Sequence, residues 1–506
     1  MIKLLPHQKA PSDFILDCFL NIGSSKGKLI MGQTGCGKTF VLADAIRRAQ
    51  DKGLFQINNE ARPFQMHSLM VLAPKNCITQ HRRVFAKAGL KNVEVTSGDS
   101  LRSSYGECYI NWKTVVKHGE LEEEPEWDES SMPDCIIIDE VQQYKNWGAQ
   151  KTKCIAQYLK QGGKVITMSA TPFQKASEAR LVLAACGLVP PDNFNDYANS
   201  VSNGSPTANS PIAIRRIKHD LMEADAIFEI KGVRYPFKPI IKNYLFDLSQ
   251  VKRVIFLQAY AEYLEERAKA GKSGTPQGII ALWVAQNKFR EKAELLRADE
   301  IAELAFNICT SQGRQIIIGS NYIPTLRKVW ATLIKLGVKP EKISHLIGGM
   351  GEKQRQQMID DFQSGKTDYF LTTLKSGGTG LSLHHELEAA RPRTVILPPT
   401  WSVYEMIQVL GRAQRINNLS QVEQFICWYK DTIEDKVAQR LESKFACLRE
   451  LIDRKESFIS EVFNGEVSEY EREMFEKEAM TTEDGEIVAP EDKEQTMFTS
   501  EMLGLD

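Results

Sequence analysis

Short apolar runs alternate with longer amphipathic segments along most of the chain. Each run is β-branched or otherwise apolar and is closed by Gly, Pro, Asp, Ser or Thr, which is typical of a buried parallel strand. The runs are Leu29–Met31, Leu69–Ala73, Cys135–Asp139 and Val165–Met168 in the first half, and Gln315–Gly319, Tyr369–Thr373 and Thr394–Leu397 in the second. Strands that alternate with helices in this way predict an α/β fold made of two parallel-sheet lobes.

The sequence between the two halves has a different texture. Residues Asp192–Pro211 are rich in Asn, Ser, Pro and Gly and predict a loop, whereas Ser249–Ala270 and Ile279–Cys309 are charged segments with helical periodicity. We therefore expect a helical insertion between the lobes. The predicted domains are a first lobe over 1–195, a linker and helical insertion over 196–305, a second lobe over 306–454 and an acidic tail over 455–506.

Composition places the chain among globular proteins. Its 506 residues are 42% apolar, which excludes wholesale disorder and a small disulfide scaffold. No apolar run approaches the roughly 18 residues that span a bilayer, and His7 and Lys9 interrupt the N-terminus before a signal-peptide core could form. The ten cysteines include no C-x-x-C pair, so a zinc ribbon is not indicated. These features predict a cytoplasmic protein that is neither secreted nor embedded in a membrane.

Charge is divided unevenly between the body of the chain and its C-terminal end. Residues 455–506 carry 16 acidic against 4 basic side chains, which leaves 60 basic against 49 acidic side chains over 1–454. A basic body favours a polyanionic partner such as nucleic acid, although an ordinary solvated surface gives the same imbalance. The tail could fold over a basic cleft as a DNA mimic, or it could be a disordered end that aids solubility or binds a partner.

Residues Gly32–Thr39 match the pattern G-x-x-x-x-G-K-[ST], between a predicted strand, Lys28–Met31, and a predicted helix, Thr39–Ala49. Glycines let the backbone curl so that several N–H groups point at phosphate oxygens, and the helix N-terminus adds its positive dipole end. We expect Lys38 to reach the β- and γ-phosphates of a nucleotide and Thr39 to hold Mg²⁺.

A second candidate lies where the apolar strand Cys135–Asp139 ends in two acids. The carboxyl ends of parallel strands form the edge where ligands bind in open α/β sheets. Asp139 therefore suits a direct or water-mediated contact with Mg²⁺, and Glu140 suits polarising an attacking water.

With these motifs in place, the chain resembles a superfamily 2 helicase, a motor with two tandem RecA-like lobes, over about residues 1–430. The matching segments, in chain order, are Leu5–Gln8 (Q motif), Gly32–Thr39 (motif I), Ala73–Lys75 (motif Ia), Asp139–Gln142 (motif II), Ser169–Pro172 (motif III), Ser376–Leu381 (motif V) and Gln408–Arg415 (motif VI). The resemblance implies an ATP- and Mg²⁺-dependent motor that acts on nucleic acid.

Within that superfamily the chain is most similar to the Swi/Snf-type translocases of double-stranded DNA. The likeness rests on Ile214–Lys218, on Gly348–Phe362 and on Trp401 ahead of motif VI. Motif II departs from these translocases because it ends in Gln142 rather than His, and motif III has the sequence S-A-T-P rather than T-G-T-P. No chromatin-reading module is evident, so we expect a phage-encoded or bacterial protein rather than a chromatin remodeller.

The resemblance also assigns roles to individual residues of the nucleotide site. The implied nucleotide-binding residues are Gln8, Gly32, Thr34, Gly35, Gly37, Lys38, Thr39, Asp139, Gln142, Gly380 and Gln408. Arg412 and Arg415 stand three apart on a predicted helix and share a face, so they are expected to act as arginine fingers on the γ-phosphoryl group. The alternative is that both arginines form surface ion pairs.

Further residues are assigned to the nucleic acid and to its coupling with ATP. The implied contacts to nucleic-acid phosphates are Lys75, Thr379, Ser382, Arg215 and Arg216, and the implied coupling residues are Ser169 and Thr171. The basic stretch that contains the two arginines is equally typical of a solvated helix face. The Trp and Tyr residues between 105 and 147 could supply a base-stacking wedge or could belong to the core.

These expectations favour a DNA-stimulated ATPase that translocates on duplex or branched DNA, with possible unwinding or remodelling of forks and junctions. Two alternatives remain open at this point. One is a helicase directed to RNA, and the other is a nucleic-acid-binding scaffold with vestigial ATP binding.

Overall fold

A computed structural model describes residues 3–21, 24, 26–33, 35–55, 69–103, 106–117, 120–231, 236–271, 276–348, 350–374, 383–400, 403–415, 417–430 and 432. The helices of this part of the chain are α1 Pro6–Leu20, α2 Lys38–Asp51, α3 Ile78–Lys87, α4 Gln150–Lys160, α5 Arg180–Ala185, α6 Phe194–Val201, α7 Pro211–Glu223, α8 Gln250–Gly271, α9 Pro276–Leu296, α10 Ala298–Gln312, α11 Ile323–Lys335, α12 Glu352–Gln363 and α13 Val403–Ala413. Its strands are β1 Leu29–Met31, β2 Leu69–Leu72, β3 Val93–Thr96, β4 Ile110–Lys117, β5 Glu120–Trp127, β6 Cys135–Asp139, β7 Lys164–Ser169, β8 Ile227–Glu229, β9 Ile240–Phe246, β10 Gln315–Ser320, β11 Ile343–Leu346, β12 Tyr369–Thr373, β13 Arg393–Leu397 and β14 Glu423–Tyr429.

The first lobe is built on a parallel sheet with strand order β3-β2-β6-β7-β1-β8. Successive strand residues face opposite sides, so Leu29 and Met31 join one buried cluster while Ile30 joins the other. Both faces are therefore covered, which explains why these strands are apolar throughout rather than alternating.

The second lobe repeats the arrangement with strand order β11-β12-β10-β13-β14-β9, again with every pair parallel. Ile317 packs on one side of this sheet and Ile316 and Ile318 pack on the other. The predicted fold of two tandem RecA-like parallel-sheet lobes is confirmed, and the seven predicted strands all occur within a residue or two of their expected bounds.

The lobe boundaries differ from those expected from the sequence. The first sheet does not end near residue 195, because β8 pairs with β1 and because Ile214, Ile217 and Leu221 of α7 join the core of the first lobe. The second sheet begins with β9, which pairs with β14. Neither edge strand is recognisable from the sequence, because β8 spans only Ile227–Glu229 and β9 contains both polar and apolar residues.

The expected helical insertion is the pair α8 and α9, which pack along each other through Phe256, Ala259 and Phe289. The helix α10, which we placed largely in the insertion, belongs to the core of the second lobe. The predicted loop over Asp192–Pro211 is wrong in part because it contains α6, whose buried residues Phe194, Ala198 and Val201 recur at helical spacing.

An antiparallel hairpin, β4–β5, leaves the first lobe between β3 and β6. Its base is anchored by Trp127, which is 1% exposed and donates from Nε1 to the carbonyl of Cys154 at 2.7 Å. Tyr109 and Tyr144 are buried beside it in the core of the first lobe. These three aromatic side chains therefore belong to the core rather than to a base-stacking wedge. No helix in the described ranges is both long enough and apolar enough to cross a membrane.

Candidate nucleotide site at the lobe interface

The loop Gly32–Thr39 follows β1 and leads into α2, as the sequence predicts. Gly35 and Gly37 have φ angles of +83° and +86°, a region that side chains with a Cβ rarely adopt. Gly32 is buried, and Thr39 is half-buried in the first turn of α2. Thr34 lies outside the described residues. The loop thus has the backbone curvature that its glycines predict.

Two side chains donate hydrogen bonds to the backbone of this loop. Gln8 of α1 is 4% exposed, donates from Nε2 to the carbonyl of Cys36 at 3.0 Å, and accepts at Oε1 from the Leu5 N–H at 2.9 Å. Lys38 donates from Nζ to the carbonyl of Gly32 at 3.0 Å. Gln8 therefore braces the loop, and the Lys38 ammonium lies over it.

Asp139 ends β6 and is 8% exposed. Its Oδ1 accepts from the Glu140 N–H at 3.1 Å, and its Oδ2 lies 3.2 Å from Nε2 of His81 on α3. Burial alone raises the pKa of Asp139, but His81, Lys38 and Arg412 outweigh burial and hold the pKa below its usual value. The carboxyl group is therefore ionised at neutral pH.

Glu140 is the centre of a hydrogen-bonded network. Its φ of +59° is unusual for a residue other than glycine and turns the chain out of the strand. Its Oε2 accepts from Gln142 Nε2 at 2.7 Å, and Gln142 Oε1 in turn accepts from the hydroxyl of Ser169 at 2.6 Å. The Ser169 Oγ then accepts from the Thr171 N–H at 2.9 Å. The segments named motif II and motif III are thus joined by a continuous chain of bonds.

The second lobe reaches this network through α13 and the residues after it. Gln408 donates from Nε2 to Glu140 Oε2 at 3.3 Å. Arg412 is buried and its charge lowers the pKa of Asp139. Arg415 lies so close to the glycine loop that a Cβ added at Gly35 would be 2.5 Å from its Nη1. All three side chains therefore face the first lobe.

One expectation about the two arginines is wrong. We placed both on one helix face, but α13 ends at Ala413. Arg415 therefore lies two residues beyond the helix, where its N–H donates to Asn418 Oδ1 at 3.2 Å. The two guanidinium groups reach the first lobe from a helix end and from the turn that follows, rather than from a shared face.

Three of the residues expected to bind nucleic acid, Lys75, Arg215 and Arg216, are in the described part of the chain, and each has its own surroundings. Lys75 is exposed and its Nζ lies 3.6 Å from Asp99 Oδ2. Arg215 is also exposed, on α7. Arg216 donates to the carbonyl of Val201 at 2.9 Å, so it binds the C-terminal end of α6.

Lys218, in the same basic stretch, is largely buried with its Nζ 3.5 Å from Glu229 Oε2. Part of the basic stretch is thus structural. Thr379, Gly380, Ser382 and Trp401 lie outside the described residues.

Sequence reasoning missed His81, which is 2% exposed beside Asp139. A faint signal exists, because His81, Val84 and Phe85 have the spacing of a buried helix face and a histidine there needs polar partners. Nothing local identifies Asp139 as that partner, since the two residues meet only when β2 pairs with β6.

Two family models match the chain, and their matches divide between the lobes. The model described as type III restriction enzyme, res subunit, matches residues 1–174, and the model described as helicase conserved C-terminal domain matches residues 297–417. The two matches include the glycine loop, the acidic strand end and the Gln408–Arg415 segment.

Three relatives extend this likeness. A helicase named L364 from Acanthamoeba polyphaga mimivirus, an ATP-dependent RNA helicase by name, is 24% identical over 84% of this chain and 78% of its own length. The SNF2 domain-containing protein ENL1 of Oryza sativa is 29% identical over 29% of this chain, and the DNA repair and recombination protein RAD54 of Saccharomyces cerevisiae is 26% identical over 39%.

The chain spans only 14% of ENL1 and 20% of RAD54, so these two likenesses concern the motor segment alone. ENL1 is an SNF2 domain protein by name, and the match to the mimivirus protein covers both lobes. With the two parallel-sheet lobes and the network between them, these matches show that the chain is an ATP-hydrolysing member of the superfamily 2 helicases, of the Swi/Snf-like type.

Proposed function

We propose that the chain is a DNA-stimulated ATPase that translocates on duplex or branched DNA, with the capacity to remodel forks and junctions. The observation that carries this proposal is the environment of Glu140. Its carboxylate accepts one hydrogen bond from Gln142 of its own lobe and one from Gln408 of the other. A general base held from both sides is correctly placed only when the lobes are together.

The residues around Glu140 suit ATP hydrolysis. Lys38 and the loop N–H groups would bind the β- and γ-phosphates, and Arg412 and Arg415 would neutralise charge on the γ-phosphoryl in the transition state. The ionised Asp139 and the Thr39 hydroxyl are oxygen donors of the kind that Mg²⁺ prefers. When bound, Mg²⁺ would offset the negative charge of the phosphates. Glu140 would accept the proton of the attacking water.

Coupling to nucleic acid would pass through Ser169. Because its hydroxyl bonds to Gln142, a shift of Glu140 on hydrolysis is transmitted to the segment Ser169–Pro172. Lys75, Arg215 and the segment that includes Thr379 and Ser382 would hold phosphates of the strand. Contacts of this kind do not read bases, so binding would tolerate any sequence and weaken steeply with salt.

The choice of DNA is supported by the names of the relatives that match over a shorter segment, which include a DNA repair and recombination protein. A second candidate is a helicase directed to RNA, favoured by the relative that matches over most of the chain and bears that name. ATP turnover measured with duplex DNA, forked DNA, single-stranded DNA and RNA separates the two. Stimulation by RNA alone would contradict the DNA proposal.

The test of the motor itself is Glu140→Gln. We expect the variant to bind a fluorescent ATP analogue as wild type does, while nucleic-acid-stimulated turnover falls by about a hundredfold or more, because the general base is lost. Glu123→Gln makes the same change on an exposed glutamate of β5 and should leave turnover unchanged. A scaffold with vestigial ATP binding would instead lose nothing in its cellular role when Glu140 is replaced.

A further inference from the structure

The buried histidine of α3 lies where the helix turns its apolar face to the first sheet. The buried residues of α3 are His81, Val84 and Phe85, so the imidazole occupies a position that an apolar side chain would fill at lower cost. A buried polar ring is unfavourable unless its nitrogen atoms are paired. The contacts of those two atoms therefore decide what His81 does.

Three contacts fix the imidazole. Nδ1 lies 2.9 Å from the carbonyl oxygen of Cys77, which can only accept, so Nδ1 carries a proton. Nε2 lies 3.2 Å from Asp139 Oδ2. The ring of Phe85 meets the imidazole edge-on, with centroids 5.9 Å apart and planes at 86°. The ring is thus held by its own helix, with Nε2 within ion-pair distance of one oxygen of Asp139.

The carboxylate of Asp139 is correspondingly fixed at both ends. Oδ1 accepts from the Glu140 N–H and Oδ2 faces His81, so rotation of the carboxyl group would break one contact or the other. Each oxygen keeps a further lone pair. The arrangement leaves Asp139 oriented but still able to accept a bond from a metal ion or from a water bound to one.

The charge around the pair agrees with this geometry. The carboxylates of Asp139 and Glu140 both act on the imidazole, and the cations of Lys38 and Arg412 act on Asp139 from the glycine loop and from the second lobe.

We propose that His81 is a positioning residue that orients Asp139 for the magnesium ion of Mg–ATP. The proposal rests on the proposed function, since it takes Asp139 as part of the magnesium site. This role differs from packing alone, because loss of a packing residue would lower the stability of α3 without changing the Mg²⁺ concentration needed to bind ATP. Partners that hydrogen-bond a metal-binding carboxylate typically change metal affinity or activity by about 10- to 100-fold when removed.

The experiment uses two amide variants of the full chain. His81→Asn keeps a donor near Nδ1 and loses the contact with Asp139, whereas His81→Gln keeps a donor near Nε2. The measurement is the free Mg²⁺ concentration that half-saturates binding of a fluorescent ATP analogue at one fixed pH. We expect the midpoint of His81→Asn to be about tenfold higher than that of wild type. The midpoint of His81→Gln should stay within about threefold of the wild-type value.

Val84→Ala is the matched control, because Val84 lies on the same buried face of α3 without facing Asp139. It should lower the melting temperature and leave the Mg²⁺ midpoint unchanged. If His81→Asn behaves like Val84→Ala in both measurements, His81 is only a core residue and the inference is overturned.

Asp139→Asn separates this failure from a failure of the proposed site. If Asp139→Asn raises the midpoint and His81→Asn does not, the magnesium site stands and the role of His81 falls. If neither variant changes the midpoint, Asp139 is not part of the magnesium site, and both proposals about it are wrong.

Discussion

A buried histidine of the first lobe and one of the second have pKa values that are shifted in opposite directions. His81 of the first lobe lies against Asp139, which raises its pKa. His384 of the second lobe is buried near Arg415 and Arg393, and burial with these two charges lowers its pKa to about 3. The second is therefore neutral at neutral pH, whereas the pKa of the first lies above that of a free imidazole.

The contrast shows how the site is divided between the lobes. The first lobe places two buried carboxylates, Asp139 and Glu140, at the end of one strand, and the second lobe brings Arg412 and Arg415 towards them. Each face carries an excess of one sign, which is unfavourable to bury alone and is reduced when the faces meet. Closure of the lobes therefore brings the two signs of charge together.

The largest effect is expected from Arg415→Ala, because this variant removes a cation of the second lobe that lies against the glycine loop. We expect nucleic-acid-stimulated turnover to fall by about a thousandfold, because transition-state charge on the γ-phosphoryl loses its partner. ATP binding, measured with a fluorescent analogue, should change far less.

The control is Arg391→Ala in the same lobe, where the guanidinium pairs with Asp368 away from the interface. It should turn over ATP at close to the wild-type rate. Equal losses in the two variants would mean that Arg415 acts through the stability of the lobe rather than through the nucleotide.

The next effect concerns the neutral histidine. The unfolded chain binds a proton at His384 below pH 6.5, whereas the folded chain binds it only near pH 3, so folding is disfavoured as pH falls through that window. Between pH 6.5 and 5 this group should cost about 2 kcal/mol of stability.

Urea unfolding of wild type and of His384→Gln at the two pH values measures that share. The variant should lose less stability than wild type on acidification. An equal loss in both proteins would show that Glu386, whose carboxylate lies 3.1 Å from Nε2, keeps the folded histidine protonated.

The smallest effect is expected from the single bond that crosses from Gln408 to Glu140. Gln408→Leu removes a 3.3 Å hydrogen bond to a carboxylate but leaves the bond from Gln142. We expect turnover to fall by about tenfold, which corresponds to roughly 1.4 kcal/mol and lies within the range for bonds to charged groups. Turnover equal to that of wild type would show that Gln142 alone positions Glu140.

The features that are recognisable from the sequence are those with a local signal. The glycine loop, the acidic end of β6 and the apolar strands follow from short patterns that need no partner, because phosphate loops and doubly covered strands impose their own composition. The edge strands β8 and β9 were missed because their pairing with β1 and β14 depends on distant parts of the chain.

The site shows the same division. Lys38 and Glu140 are recognisable from their neighbours in sequence, whereas His81 and the bonding of Arg216 to the end of α6 depend on packing between elements. Arg216 illustrates the error that results. A basic residue on a helix predicts a phosphate contact and a structural bond equally well until its surroundings are known.

The pairing of β9 with β14 has a consequence for biosynthesis. The sheet of the first lobe is complete once Glu229 has emerged from the ribosome, but Ile240 gains its partner only with Glu423. Until then both edges of β9, with its exposed Tyr244 and Leu245, are open to pairing with other nascent chains. A message cut short before the codon for Glu423 would thus yield a folded first lobe attached to an aggregation-prone remnant.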